Sequence, residues 1–80
     1  MYKHQYDRMF YRGYLGSIEL QEDGTYYGKL LNVGNDLITY GSDNMEDLYE
    51  EFIIAIEDYE KTCKELGREV IKEEVDIFNL

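Results

Sequence analysis

Between residues 45 and 66 the apolar side chains return at steps of three and four: Met45, Leu48, Phe52, Ala55, Ile56, Tyr59, Cys63 and Leu66. That spacing collects them on one stripe of an α-helix and turns the intervening polar positions outward. Ser42, Asp43 and Asn44 mark its start, and Asp43 with Glu46 has capping-box spacing, Asp standing in for the usual Ser or Thr. Lys61 and Lys64 in the last turns, with Gly67 just beyond, mark its end. At a rise of 1.5 Å per residue the helix is about 33 Å long. The sheet of so short a chain cannot cover that length, so one end is expected to overhang and to pack against another chain.

Ahead of the helix the period falls to two. Tyr14, Gly16, Ile18 and Leu20 share one parity while Leu15, Ser17 and Glu19 take the other, which predicts a strand with one buried face beginning near Tyr11. Asp23-Gly24 is a tight-turn signal, and Thr25 to Leu31 reads as the return strand, with Gly28 marking a bulge or a close backbone approach. Asn32 to Asp36 contains Gly34-Asn35 and predicts a second turn before a short strand over Leu37 to Tyr40. Short loops between consecutive strands demand antiparallel pairing, because a parallel pair needs a long crossover. Alternation returns in the tail, Val70 to Leu80, and predicts a last strand. The expected fold is α+β in the order β-β-β-α-β: an antiparallel three-stranded meander, one long amphipathic helix and a C-terminal strand. Residues 1–10 lack a clean period and read as an N-terminal arm or a strand extension, leaving 11–80 as one domain.

Composition narrows the partners. The 80 residues carry 18 Asp and Glu against 8 Lys and Arg, a formal net charge of -10. That balance opposes a direct grip on nucleic acid or on anionic lipid, since phosphate contacts require Lys and Arg. With 44% hydrophobic residues the chain is nevertheless a folding sequence. A single Cys excludes an internal disulfide framework and fits a reducing compartment. No apolar run approaches the roughly 20 residues of a membrane span, and the opening residues lack a signal-peptide apolar segment, so a cytoplasmic location is expected. A chain this small buries only about 60% of the surface its unfolded form exposes. Self-association or a stable complex is therefore expected as well.

The candidate chemistry centres on acids. From Asp43 to Glu60 there are eight (Asp43, Glu46, Asp47, Glu50, Glu51, Glu57, Asp58 and Glu60) and no base. Such a face either is solvated, its early acids favoured by the helix dipole, or steers a cationic partner. Within the stretch no Lys offers the usual i,i+4 support, which favours the partner. His4, the only histidine, has no nucleophile or orienting group near it in sequence, and Cys63 falls on the apolar stripe as a small hydrophobe. The glycines are too scattered to form a phosphate-cradling loop. The nine tyrosines, without bases to follow a nucleic-acid backbone, read as packing residues or interface anchors.

The segments Tyr11-Arg12-Gly13-Tyr14-Leu15-Gly16-Ser17-Ile18-Glu19, Tyr27-Gly28-Lys29-Leu30-Leu31 and Asn35-Asp36-Leu37-Ile38-Thr39-Tyr40 resemble the three opening strands of HicB-type antitoxins. Leu48 to Leu66 with Gly67, including Phe52, Ala55, Asp58-Tyr59 and Cys63-Lys64, resembles the family helix and its exit, and Phe78-Asn79 the last core strand. The resemblance spans about residues 11–80. It implies a partial ribonuclease-H-like fold and a protein that binds and neutralises a small basic HicA-type mRNA-cleaving toxin, and the acidic surface with an adjoining sheet edge is expected to cover the toxin's RNA-binding face. Family members usually continue into a DNA-binding, dimerising segment. The sequence ends at Leu80, about where that segment begins, which leaves three expectations open: a short form lacking the DNA-binding segment, a neighbouring polypeptide that supplies it, or a fragment of a longer chain. The residues expected to meet the toxin are Glu50, Glu51, Glu57 and Asp58, with no catalysis, cofactor or metal. Two other readings stand beside it. One is a metal-dependent nuclease of ribonuclease-H-like fold using Glu19, Asp36 and the helical acids, although the core strands contribute only Glu19. The other is a stand-alone dimeric structural or regulatory module joined through the long helix.

Overall fold

The computed structural model of the chain describes residues 8–74. The fold is α+β, with two small antiparallel sheets and one helix. Strands β1 (Arg8–Tyr11) and β2 (Tyr14–Ser17) form a hairpin, and β3 (Glu19–Leu20), β4 (Tyr26–Lys29) and β5 (Thr39–Ser42) follow in chain order as a second sheet. Helix α1 (Met45–Leu66) lies across both. Only Ile18 separates β2 from β3, and the sheets are joined where Gly16 bridges Leu30 and Leu31 donates its N–H to the Leu15 carbonyl at 2.8 Å.

This differs from one three-stranded meander beginning at Tyr11. The chain turns at Arg12-Gly13, where both residues have positive φ (53° and 87°) and Tyr11 pairs with Tyr14. Two consecutive left-handed residues make the two-residue hairpin turn whose twist matches its strands. Arg is rare in that conformation, so the turn carries no sequence signal. The arm boundary moves with it: residues 8–10 belong to β1, and Met9 is buried in the core. The strand expected over Leu37 to Tyr40 is shifted two residues onward, leaving Leu37 exposed. No strand is seen at 68–74. Residues 75–80, where the rest of the expected C-terminal strand falls, and residues 1–7 with His4 lie outside the described residues.

The helix begins one residue later than the Asp43–Glu46 box predicts. Asn44 is the cap: its Oδ1 accepts from the Asp47 N–H at 2.8 Å and its Nδ2 donates to the Asp47 carboxylate at 3.0 Å. Gly67, at φ 72°, closes the other end as expected, with Arg68 donating to the Cys63 carbonyl at 3.0 Å. The buried stripe is Leu48, Phe52, Ile56, Tyr59 and Cys63. It packs on Tyr40 of β5, Tyr14 of β2, Met9 of β1 and the loop residues Leu30 and Val33.

The helix reaches the sheet through glycine. A Cβ on Gly16 would stand 2.6 Å from Phe52, and one on Gly28 would stand 2.1 Å from the Ser17 carbonyl oxygen and 2.5 Å from Tyr40. Gly28 is thus a close approach, and Tyr40 crosses it to donate its hydroxyl to the Ser17 carbonyl at 2.8 Å. Burial of that hydroxyl raises its pKa. The segment after the helix is tied down by polar groups. Buried Asn32 accepts from the Leu15 N–H at 3.0 Å and donates to the carbonyls of Gly13 (2.9 Å) and Glu73 (2.8 Å), joining hairpin, loop and tail at one amide. Lys72 donates to the Arg12 carbonyl at 3.0 Å while its ammonium sits 5.0 Å above the Tyr14 ring. Among the described residues no helix is long and apolar enough to cross a membrane.

Candidate partner-binding face

The 3.6-residue repeat that buries Phe52 and Ile56 turns Glu50, Glu51, Glu57 and Asp58 outward, and all four are exposed. They stand four, three, three and four residues from Ile54, the spacings that make side chains neighbours on a helix. Ile54 is 55% exposed. The outer face of α1 therefore carries an isoleucine ringed by the four predicted acids. Among the described residues no ion pair joins any of the four to a base, although Lys61 stands one turn beyond Glu57.

Three other acids have duties within the fold. Glu60 accepts the Tyr14 hydroxyl at 2.9 Å and pairs with Arg12 at 3.2 Å, fixing the first hairpin to the helix. Burial of Tyr14, and the carboxylate beside it, push that hydroxyl's pKa upward. Asp36 accepts the Tyr59 hydroxyl at 2.7 Å and pairs with Arg68 at 2.6 Å, joining loop, helix and tail. Those two bonds, the Tyr59 hydroxyl first, hold its carboxyl below the usual carboxylate range. Glu19 accepts the Ser17 hydroxyl at 3.2 Å.

The set required by a two-metal nuclease is thus dispersed: Glu19 lies on β3, Asp36 is held in a structural clasp with only Asp58 sharing its groove, and Glu50, Glu51 and Glu57 stand on the outer face of the helix. Among the described residues no three His, Cys, Asp or Glu side chains come together where they could hold a metal ion. Cys63 is buried on the stripe with no second thiol in the chain.

The acidic face continues onto the sheet along one flank. Asp58 lines a groove of 270 Å³ with Thr62, Tyr59, Cys63, Asp36, Leu37, Ile38 and Arg68. Leu37 stands in that groove 75% exposed. Glu60 faces the β1–β2 hairpin from the opposite side of α1, so the Glu51–Asp58 flank overlooks the side of β5 away from β4. Ile54 and Leu37 were not singled out in the sequence. Ile54 lay off the core stripe, and its signal was the position of the four acids about it. Compared with models of protein families, with characterised proteins and with solved structures, the chain matches none.

Proposed function

We propose that this chain is a protein-binding module of the HicB antitoxin type, which neutralises a small basic HicA-type RNA-cleaving protein by docking the outer face of α1 over its RNA-binding surface. The observation that carries this reading is Ile54 encircled by Glu50, Glu51, Glu57 and Asp58, exposed and without an internal counter-ion. An apolar centre within a charged rim is the pattern of a protein-binding hot spot. The sign of the rim selects a cationic partner and speeds its encounter. The β-strand and helix segments that resemble the antitoxin family, and the α+β architecture they occupy, support the same reading, including a partial ribonuclease-H-like arrangement. The cytoplasm, where mRNA is cleaved, is the proposed location.

The test is inhibition of RNA cleavage by a purified HicA-type protein, with association followed by stopped flow. Reversing the four acids to Lys slows association by at least about tenfold at low salt and abolishes protection of the RNA. Unchanged kinetics and full protection by the reversed chain would overturn the assignment.

A further inference from the structure

The edge of β5 carries a second recognition element. Leu30 donates its N–H to the Ile38 carbonyl at 2.9 Å, in register with the β4–β5 ladder. Bonded and non-bonded pairs alternate along an antiparallel ladder. Gly28–Tyr40 and Tyr26–Ser42 are then the bonded pairs, and Thr39 and Gly41 aim their N–H and C=O groups away from β4. The neighbours of β4 agree, since Lys29 donates the other way to the Ser17 hydroxyl at 3.0 Å and Leu31 to the Leu15 carbonyl at 2.8 Å. β5 is the last strand of its sheet, and Thr39 and Gly41 are exposed. Among the described residues neither has a hydrogen-bond partner across that edge. Edges are normally guarded by Pro, Lys, a bulge or a covering segment. Thr39-Tyr40-Gly41-Ser42 has no Pro or Lys.

We propose that this edge takes an extended, basic segment of the protein partner as an added strand, its backbone pairing with Thr39 and Gly41 and its cationic side chains meeting Glu51 and Asp58. The proposal rests on the function proposed above and says how the partner is held. Helix α1 returns over β5 after two linking residues, Asp43 and Asn44. At 1.5 Å per helical residue against about 3.3 Å per strand residue, Glu51 stands roughly level with Thr39 and Tyr40. Asp58 stands level with Leu37 and Ile38, whose groove it shares. Both carboxylates thus border the open edge. A second copy of this chain is the poorer occupant, because pairing β5 with β5 would set Glu51 and Asp58 against their own copies on chains of net charge -10. Added strands gain affinity from main-chain bonds and specificity from alternate side chains. The free Leu37 side chain offers an apolar contact at one end.

The experiment is amide hydrogen exchange on the isotopically labelled full chain, with a synthetic peptide alternating lysine and valine as probe and a glutamate–valine peptide as control. The lysine peptide slows exchange at Thr39 and Gly41 by at least about tenfold and leaves the already bonded Tyr40 and Ser42 amides unchanged, whereas the control slows none of the four. Thr39→Pro and Gly41→Pro each remove an outward N–H; Thr39→Pro is the cleaner of the two, because a Cβ at position 41 stands 3.1 Å from the Tyr26 carbonyl oxygen of β4. Each weakens the peptide, and the RNA-cleaving partner, by at least about tenfold. No binding at millimolar peptide, binding without protection of the edge, protection already present in the free chain, or a dimer dissolved by Gly41→Pro would each overturn the proposal. If charge reversal weakens the RNA-cleaving partner but the proline variants do not, the edge is wrong and the functional reading stands. If charge reversal leaves that partner unaffected, the reading itself fails, whatever the edge binds.

Discussion

On its inner face α1 sets Leu48, Phe52, Ile56, Tyr59 and Cys63 against glycines and tyrosines of the sheet. On its outer face Glu50, Glu51, Glu57 and Asp58 surround Ile54 and touch no base among the described residues. Each inner residue is explained by what it packs on, and a change of one methyl group there meets another atom. Among the described residues the outer ones have no counter-ion and no packing partner that accounts for them. Four like charges about an exposed isoleucine contribute neither core nor pairing, and the function proposed above assigns them to a partner that supplies the opposite charge and covers the apolar area. The comparison is useful because the two faces should fail differently when altered: the inner in stability, the outer in association.

The largest effect belongs to the inner side. Gly28→Ala places a methyl group 2.1 Å from the Ser17 carbonyl oxygen and 2.5 Å from the Tyr40 ring. A backbone atom cannot step aside as a side chain can, so strands β2 and β4 must separate or Tyr40 must leave its bond to Ser17. The expected loss is about 3 kcal/mol or more, read as the shift of a urea unfolding midpoint. An unchanged midpoint would mean that the sheet is less tightly closed than these distances require.

A smaller effect lies between the two faces, at the Asp36 clasp. Its carboxyl is held low by the hydrogen bond from Tyr59 and by Arg68. A group whose folded pKa is depressed contributes stability that is fully present above its unfolded value. That contribution is lost as pH falls from about 3.9 through the lower folded value. Stability should therefore fall below about pH 4, and Asp36→Asn should flatten that part of the profile while leaving its shape above pH 5 unchanged. Thermal melts between pH 2.5 and 6 measure this, and an identical acid limb in the variant would remove Asp36 from the account.

What could be read from the residues divides along the same line. The buried stripe and the exposure of the four acids both follow from one period, and both are legible because a helix obeys its own repeat whatever it packs on. The cap slipped by one residue because Asp43 and Asn44 are equally good caps in composition. Only the backbone conformation chooses, and it places Asn44 at φ -149° ahead of the first turn. The hairpin at Arg12-Gly13 was hidden because Arg does not announce a left-handed turn. Asn32 was hidden for a different reason. Its three partners, Leu15, Gly13 and Glu73, lie 17 to 41 residues away, and no local pattern records such a meeting. The acids sort themselves only in three dimensions: Glu60 and Asp36 are clasps, while Glu57 and Asp58, next to Glu60 in sequence, have no counter-ion among the described residues.

The smallest effect on the fold should come from Ile54→Ala, and it is the most informative about the outer face. The side chain is more exposed than buried, so little apolar contact is lost, and alanine is the better helix former. The change in unfolding free energy should stay within about 0.5 kcal/mol of zero. Binding to a basic partner should nevertheless weaken by about tenfold or more, chiefly through faster dissociation, because an anchor at the centre of a charged rim acts after encounter rather than before it. Lys substitutions at the four acids should act mainly on the association rate and lose their effect as salt rises. If Ile54→Ala destabilises the chain by more than about 1 kcal/mol and its stability depends on protein concentration, the isoleucine belongs to a contact between copies of this chain. If it alters neither stability nor dissociation, the ring of acids works by long-range attraction alone and Ile54 has no part in recognition.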